Sequence, residues 1–447
     1  MSSFLPEFLE RQPIICTEHI LITLNRIGMN LTSKDRPTVL DLFCGAGGLS
    51  LGFRDAGCQI LGGIDINKYA IETHHHNFAD SPLKLPPLDI TQLKPQDLNL
   101  KPGDVDILIG APPCQVFSGV GVGKMKSLGK DIESDPRNFL YEKFVEFLAF
   151  YKPFFFVMEN VDKLRSKPIF NKIVNALELG KQGEQENYPG YRIRHQILTA
   201  SDYGVPQIRK RLFVVGIRQD LDLQFEFPEP LSEQPVSVME AIGDLISLTP
   251  PSLSALKHKN SGSPQKDESK PYFSLPQSKY QQKMRAKRYR SLVDSKIKQA
   301  PDDLDGVMNH ICRSHNPVDL ICFAMLAPGG KYTDLPESMR RYRWDIFDDK
   351  YKRLPLHKPA WTLTAHMQKD CLAYIHPTQT RSISVREAAR LQSFPDHFVF
   401  CAPMTRMFEL VGNSVPPLLA EAIAKPIVKQ LKTYRKANPK IRQITLL

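Results

Sequence analysis

One short segment constrains the fold of this chain more than any other: an apolar run that stops at two prolines and a cysteine. Residues 106–110 read Asp-Ile-Leu-Ile-Gly, and Ala111 leads into Pro112-Pro113-Cys114-Gln115. Apolar runs of this length are typical of strands covered on both faces, and open α/β folds place their chemistry at the carboxyl ends of such strands. Each proline fixes φ and removes a donor, so the backbone before Cys114 is stiff. Cys114 is therefore a candidate nucleophile, and the alternative is a small buried hydrophobe.

Further apolar runs alternate with glycine turns and helical patterns. The strands are predicted at 38–43, 59–64, 106–110, 154–158 and 211–216, and the helices at 49–56 and 138–150. Strands that are apolar along their length belong in a sheet with helices on both faces. The pattern predicts a doubly wound α/β domain over residues 37–228, followed by a smaller domain.

Length, charge and cysteine spacing exclude several classes of protein. A chain of 447 residues exceeds one average domain, and a net charge of +11 favours a polyanionic partner such as nucleic acid. The eight cysteines contain no Cys-x-x-Cys, so neither a disulfide framework nor a zinc ribbon is predicted. No run reaches the roughly 18 apolar residues of a membrane span, and no signal peptide is evident. We expect a soluble, intracellular protein with no membrane partner.

The composition changes after residue 230. Residues 257–300 carry 12 Lys and Arg against 3 Asp and Glu, interleaved with aromatic residues. Two interpretations are open: a solvated or disordered insertion, or a phosphate-contacting surface within a recognition domain. Helical signals return at Ser384, an N-cap with Glu387 in capping-box spacing. A last helix that begins near Val415 is predicted to dock on the first domain.

The first strand ends in a glycine turn suited to a nucleotide-like ligand. Residues 41–48 read Asp-Leu-Phe-Cys-Gly-Ala-Gly-Gly, and Asp65 follows the next strand, where a carboxylate can accept both ribose hydroxyls. The turn matches neither Gly-x-Gly-x-x-Gly nor a P-loop, so S-adenosylmethionine fits better than NAD or ATP. Asp89 is a candidate for the adenine amino group or a turn cap. The run His74-His75-His76 points to different sides of a helix, so no metal site is predicted.

Two more motifs place chemistry near Cys114. The strand at 154–158 ends in Glu159-Asn160-Val161, where a carboxylate is either a working acid or a capping residue. In Gln207-Ile208-Arg209-Lys210-Arg211 the arginines alternate, so on an extended segment they would point together into a cleft.

Together these motifs resemble the DNA (cytosine-5)-methyltransferase family. The resemblance covers roughly residues 37–228 and 355–430, with the motifs in family order. They are residues 41–53, Asp65, residues 106–121 with Pro-Pro-Cys-Gln, Glu159-Asn160-Val161, Gln207-x-Arg209-x-Arg211, residues 386–398 with Arg390-Leu391-Gln392, and Gly412-Asn413-Ser414-Val415-Pro416.

The resemblance implies a Rossmann-like, S-adenosylmethionine-dependent domain and a role for each site residue. Cys114 adds to carbon 6 of a flipped cytosine, Glu159 donates to ring N3, and Arg209 and Arg211 support O2, Glu159 and the thiolate. The residues implied to contact the cofactor are Phe43, Gly45, Ala46, Gly48, Leu49, Asp65, Ile66, Asp89, Ile90, Asn413 and Val415. Those implied to contact DNA are Gln115, Ser118 and Gln207.

The resemblance also divides the chain. Residues 1–36 are a lead-in without an assigned role, 37–228 the catalytic and cofactor domain, 229–375 a mixed target recognition domain, 376–435 late motifs returning to the catalytic domain, and 436–447 a tail. In the recognition domain Arg340, Arg341 and Arg343 are candidates to read guanines, and the alternative is solvated charge.

The predicted activity is methylation of carbon 5 of cytosine in duplex DNA. The expected partners are double-stranded DNA and a cognate restriction endonuclease acting on the same site, the expected state is a monomer, and the expected location is a bacterial cytoplasm at the nucleoid. A tRNA cytosine-5 methyltransferase of the same fold is the alternative. Against it, Gln207 is present and the Cys-Phe-Thr signature of that branch is not found. A third hypothesis, a DNA-binding homologue without catalysis, predicts loss of a chemical residue, yet Cys114, Glu159, Arg209 and Arg211 are all present.

Overall fold

A computed structural model describes residues 36–113, 140–180, 188–251, 267–286, 306–341 and 350–438. Its strands are β1 Thr38–Leu42, β2 Gln59–Ile64, β3 Ile107–Gly110, β4 Phe155–Val161, β5 Tyr191–Thr199, β6 Gln207–Ile208, β7 Lys210–Arg218 and β8 Ala360–Trp361. Its α-helices are α1 Gly48–Asp55, α2 Lys68–Asn77, α3 Leu140–Tyr151, α4 Pro168–Leu179, α5 Val238–Ile242, α6 Lys279–Arg285, α7 Pro317–Met325, α8 Val385–Leu391, α9 Met404–Asn413 and α10 Pro417–Ala437. Short 3-10 helices lie at Ile90–Gln92, Pro95–Leu98, Asp162–Ser166, Ala200–Tyr203, Tyr332–Asp334, Glu337–Met339 and Ala365–Gln368.

Six of the described strands form one mixed sheet in the order β2-β1-β3-β4-β7-β5. The pairs β2–β1, β1–β3 and β3–β4 are parallel, whereas β7 runs antiparallel to both β4 and β5. The parallel part ends in a row of carboxyl termini at Leu42, Ile64, Gly110 and Val161, which is the edge that open α/β folds use for ligands. The α/β prediction is confirmed, and the antiparallel strand β5 is an addition that sequence reasoning missed.

Side chains of alternate strand residues build two cores, one on each face of the sheet. Val39, Ile107 and Phe155 face α1 and α10, whereas Leu40, Leu108 and Phe156 face α3 and α4. The late helix α10 thus covers the first face, beside the helix that follows the glycine turn. This is the docking predicted for the last helix, which begins two residues later than expected.

The region after residue 230 contributes to more than one core. Val238, Ile242 and Met284 belong to the same core as α10, whereas Phe323, Tyr332 and Tyr351 belong to a separate small cluster. The capping box predicted at Ser384 is present, with the Glu387 N–H donating to Ser384 Oγ and the Ser384 N–H donating to Glu387.

Candidate active site

The turn after β1 is built from backbone that few side chains tolerate. Phe43, Gly45 and Gly47 have φ of 61°, 53° and 96°, so the chain turns sharply three times before α1 begins. The Gly45 N–H donates to Asp65 Oδ2 at 2.9 Å, and the Asn67 N–H donates to Asp65 Oδ1 at 2.8 Å. Burial raises the pKa of Asp65. The predicted cofactor carboxylate is therefore bonded directly to the turn.

Two glycines of the turn have opposite surroundings. A Cβ added at Gly45 would meet no atom of the described residues within 4 Å, whereas one added at Gly48 would lie 2.2 Å from the backbone oxygen of Val415. The late motif, with its exposed Asn413, thus packs directly on the start of α1. Ile66, next to Asp65, leaves 68% of its surface exposed. The structure therefore brings together open space, a carboxylate and an apolar side chain at one edge.

The remaining cofactor candidates divide by burial. Ala46, Leu49 and Ile90 have buried side chains, and Phe43 is half-buried. Asp89 is exposed, and its Oδ1 accepts from the N–H and the hydroxyl of Thr91 at 2.9 and 2.8 Å. Asp89 is therefore a turn cap in this structure, the alternative that its sequence position had left open.

A buried polar chain that sequence reasoning missed lies beneath the turn. Ser50 Oγ donates to Asp41 Oδ2 at 2.5 Å and lies 3.3 Å from His74 Nε2. Burial raises the pKa of Asp41 to about 7 and lowers the pKa of His74 to about 3. The other Asp41 oxygen, Oδ1, is buried and has no hydrogen-bond partner in the part of the chain that the structure describes. The sequence signal was available: an aspartate inside a strand that is otherwise apolar.

At the catalytic end, Glu159 lies at the end of β4 and is only 8% exposed. Its Oε1 lies 2.9 Å from Arg211 Nε. Burial raises the pKa of Glu159, and the positive charges of Arg211 and Arg209 oppose that rise. The structure therefore joins two of the predicted catalytic residues as a buried ion pair at the carboxyl edge of the sheet.

Arg209 occupies a different place from the one expected. It sits between β6 and β7, is 2% exposed, and donates to Leu363 O at 2.7 Å, Gly412 O at 3.1 Å and Ser414 O at 3.2 Å. The prediction that both arginines point together into a cleft is met only in part: Arg209 is close enough to Glu159 and Arg211 to interact with their charges, but its side chain is buried and donates to backbone carbonyls. Its guanidinium instead ties the segment after β8 to the late motif, while its charge still acts on Glu159.

The backbone that leads to Cys114 is anchored beside Glu159. Asn160 Nδ2 donates to the carbonyl of Pro112 at 3.1 Å, and the Ala111 N–H donates to Leu42 O at 3.3 Å. Cys114, Gln115 and Ser118 themselves lie outside the described residues. Asn160 was part of a recognised motif, but its role in holding the proline segment was not predicted.

The structure corrects the expectation that Gln207 contacts DNA. Its side chain is 0% exposed: Nε2 donates to Leu391 O and to Gln392 Oε1, and Oε1 accepts from the Leu363 N–H at 2.8 Å. Every polar atom of the amide is therefore used inside the protein. We assign Gln207 a structural role between β6, the segment after β8, and α8.

The predicted recognition arginines are engaged with the protein as well. Arg340 donates to the carbonyls of Leu335 and Thr333 at 2.8 and 2.7 Å, and Arg341 pairs with Asp319 of α7. Arg343 and most of the basic stretch 257–300 lie outside the described residues. In the part of the chain that is described, no group of three His, Cys, Asp or Glu side chains could hold a metal ion.

Comparisons with known proteins agree with this geometry. A family model described as C-5 cytosine-specific DNA methylase matches residues 37–429. The type II methyltransferase M1.HphI of Haemophilus parahaemolyticus is 33% identical over 88% of this chain and 87% of its own length, and M.DdeI of Desulfomicrobium norvegicum is 33% identical over 87% and 88%. The crystal structure of an E. coli prophage protein described as a DNA modification methyltransferase has a TM-score of 0.65 and 28% identity, covering 88% of this chain and 99% of that one. None of the described helices is long and apolar enough to cross a membrane.

Proposed function

The chain belongs to the C-5 cytosine-specific DNA methylase family and is a DNA (cytosine-5)-methyltransferase, and we propose that Cys114, Glu159, Arg209 and Arg211 carry its chemistry. One observation supports this assignment above the others. The buried Glu159–Arg211 pair is followed directly by Asn160, which holds the backbone two residues before Cys114. The acid, the cation and the backbone that leads to the proposed thiol are thus close together at one edge of the sheet.

The reaction requires a nucleophile because carbon 5 of cytosine does not attack a methyl donor by itself. The Cys114 thiolate adds to carbon 6, which makes carbon 5 nucleophilic. After methyl transfer, loss of the carbon-5 proton and expulsion of Cys114 restore the ring. A positive charge near a cysteine favours its thiolate form, and Arg209 and Arg211 are the residues that we propose for this role.

Glu159 is suited to work as the acid of the reaction. Burial raises its pKa, which favours the protonated form that can donate to ring N3, and the same carboxyl group can hold the exocyclic amine. Arg211, slightly more exposed than Glu159, holds the Glu159 carboxyl group in place and can donate to the carbonyl O2 of the cytosine. Arg209 acts from behind, because its hydrogen bonds hold the late motif and its charge reaches Glu159.

S-adenosylmethionine is the proposed cofactor, and the turn after β1 fits it. Asp65 can accept ribose hydroxyls, the exposed Ile66 offers an apolar face for adenine, and the open space at Gly45 admits the methionine end. The late motif, through Asn413 and Val415, closes the far side of this site. When bound, S-adenosylmethionine supplies an electrophilic methyl group.

The proposed substrate is a cytosine flipped out of a specific duplex sequence, at a cost of a few kcal/mol for unstacking. Gln115 and Ser118 are proposed to contact DNA beside the flipped base, and residues 229–375 to read the sequence. Since the named relatives are type II methyltransferases, we further propose a cognate restriction endonuclease that cleaves the same site. A monomer acting at the nucleoid of a bacterial cytoplasm completes the proposal.

The decisive experiment combines duplex DNA of mixed sequence with methyl-labelled S-adenosylmethionine and the purified chain. We expect labelled 5-methylcytosine from the parent protein, none from Cys114→Ala, and parent activity from Cys401→Ala, which removes a half-buried free thiol elsewhere. Bisulfite sequencing of DNA from expressing cells then gives the methylated site. Label that enters tRNA in preference to DNA, or 5-methylcytosine made by Cys114→Ala, would contradict the proposal.

A further inference from the structure

The buried chain of Asp41, Ser50 and His74 takes no part in the chemistry proposed above. Asp41 is 1% exposed and lies in β1, two residues before the strained turn. Ser50 lies in the first turn of α1, and His74 in α2 stacks on Phe78. A Cβ at Gly47 would lie 2.6 Å from the Phe78 ring and 3.1 Å from His74. These three hydrogen-bonded side chains, Asp41, Ser50 and His74, thus lie directly beneath the cofactor turn, and we call them the floor of the turn.

The hydrogen bonds of this floor have a defined direction when Asp41 is ionised. Ser50 has one hydroxyl proton, which it donates to Asp41 Oδ2 at 2.5 Å. Toward His74 Nε2, at 3.3 Å, the hydroxyl oxygen therefore accepts, so His74 carries its proton on Nε2. The depressed pKa of His74 keeps the ring neutral, and the chain carries only the charge of Asp41.

No described cation offsets that charge. Ser50 of α1 bonds to Asp41 and also lies 3.3 Å from His74 Nε2 of α2, while Cys44 of the turn and Asp65 beyond β2 interact with Asp41 through their charges. Of these, Ser50 lowers its pKa by hydrogen bonding and Asp65 raises it by repulsion. The other buried carboxylates of the sheet, Asp106 and Glu159, each lie against an arginine. Among the described side chains around the cofactor turn, the charge of Asp41 therefore has no cationic partner.

We propose that the ionised Asp41 carboxylate favours the positively charged sulfonium of S-adenosylmethionine over the neutral thioether of S-adenosylhomocysteine. This inference rests on the proposed cofactor. The field of Asp41 acts through the turn, without contact, so Asp41 is a positioning residue. The carboxylate of Asp41 attracts the positive sulfonium and so strengthens binding of S-adenosylmethionine. S-adenosylhomocysteine has no positive charge at sulfur, so its binding is not strengthened. The same charge therefore promotes exchange of product for fresh donor.

The preference depends on pH in a direction that follows from burial. Because the pKa of Asp41 is raised to about 7, its carboxylate is mostly protonated at pH 6 and mostly ionised at pH 8. A cationic ligand stabilises the ionised form, so its binding near pH 7 releases a proton that a neutral ligand does not release. The ratio of the two affinities should rise with pH across this range.

Isothermal titration calorimetry of the full chain with each cofactor, between pH 6 and 8, tests the proposal. For the parent protein we expect the S-adenosylmethionine preference to grow roughly fivefold from pH 6 to pH 8, because one charge interaction at an effective protein dielectric is worth roughly tenfold and part of it is already present at pH 6. In two buffers of different ionisation enthalpy at pH 7, S-adenosylmethionine should release more protons than S-adenosylhomocysteine. In Asp41→Asn, both the growth with pH and the difference in proton release should vanish.

Two further variants separate charge from structural damage. Ser50→Ala keeps the Asp41 charge but removes its hydrogen bond, so the pH at which the preference appears should move upward. Asp106→Asn removes a buried carboxyl at the opposite end of the sheet and should leave the pH profile unchanged. An Asp41→Asn protein that is folded by circular dichroism and keeps the parent profile would overturn the inference alone. If the parent bound neither cofactor, the proposed cofactor itself would fail.

Discussion

Two carboxylates lie buried at the same edge of one sheet, and among the described residues only one of them has a cation beside it. Glu159 at the end of β4 has Arg211 at 2.9 Å and the charge of Arg209 behind it, whereas Asp41 in β1 has a serine, a neutral histidine and a second carboxylate. An unpaired buried charge is costly, so a protein retains one where a ligand supplies the missing charge. The catalytic end carries its own cations, and we propose that the cofactor end receives one from its ligand.

The largest expected effect comes from neutralising the paired carboxylate. Glu159→Gln keeps the shape of the side chain but loses the acid, so methyl transfer should fall by roughly 10²- to 10⁴-fold, the usual contribution of general acid–base catalysis. Cofactor affinity should stay within twofold, because the change is confined to the catalytic end. Single-turnover rates and calorimetry measure the two quantities. A rate within threefold of the parent would remove Glu159 from the chemistry.

Neutralising the unpaired carboxylate should instead change stability with pH. The pKa of Asp41 is about 7 in the folded protein against an ordinary value near 3.8, so the unfolded chain ionises first and parent stability falls as pH rises toward 7. Asp41→Asn lacks this loss. Between pH 5 and pH 8, the free energy of unfolding of Asp41→Asn should therefore rise by about 3 kcal/mol relative to that of the parent, since each pKa unit is worth about 1.4 kcal/mol.

Urea unfolding at both pH values, without cofactor, measures that gain. Glu159→Gln is the matched variant, because its carboxyl group is also buried but has Arg211 beside it; its own gain should be smaller. Equal gains in stability in the two variants would mean that Arg209 and Arg211 do not offset the burial of Glu159, which would contradict the contrast with Asp41.

How much of this contrast could be read from the sequence depends on how local each feature is. The parallel strands, the glycine turn and Glu159 were predictable because an apolar run or a motif marks each one. Strand β5 was not, because Arg192, Arg194, His195 and Gln196 interrupt its pattern at an exposed position beside β7. An edge strand has less apolar surface to bury, so its periodicity is weak.

Side-chain roles that depend on distant segments were the least predictable. Gln207 resembles a surface residue in a polar motif, yet its partners come from α8 and from the segment after β8, more than 150 residues away. The chain from Asp41 to His74 spans three elements in the same way. A sequence motif identifies such residues, but only packing decides whether they face a ligand or each other.

The two glycines of the turn separate packing from ligand access. Gly48→Ala would drive a methyl group to 2.2 Å from Val415 O, so we expect a loss of about 3 kcal/mol, as for overpacking against backbone that must move. The methyl group of Gly45→Ala would meet no atom of the described residues, so its cost should be about 1 kcal/mol from its positive φ. Thermal unfolding ranks the pair, and calorimetry should show that Gly45→Ala still weakens cofactor binding. The reverse stability order would contradict the packing of the late motif on α1.

The smallest expected effect tests whether the cofactor end also offers an apolar face. Ile66 is 68% exposed, so Ile66→Ala should change the free energy of unfolding by less than about 0.5 kcal/mol. If adenine packs on this side chain, cofactor affinity should fall about fivefold, the effect of removing part of a buried apolar contact of about 1 kcal/mol. Ile208→Ala, at an isoleucine that is 50% exposed in β6, is the matched control and should leave affinity unchanged. Both cofactors should weaken equally in Ile66→Ala, because adenine is common to them, whereas Asp41→Asn should affect only the charged one. An Ile66→Ala variant that weakened S-adenosylmethionine alone would mean that the apolar face and the negative floor do not act on separate parts of the ligand.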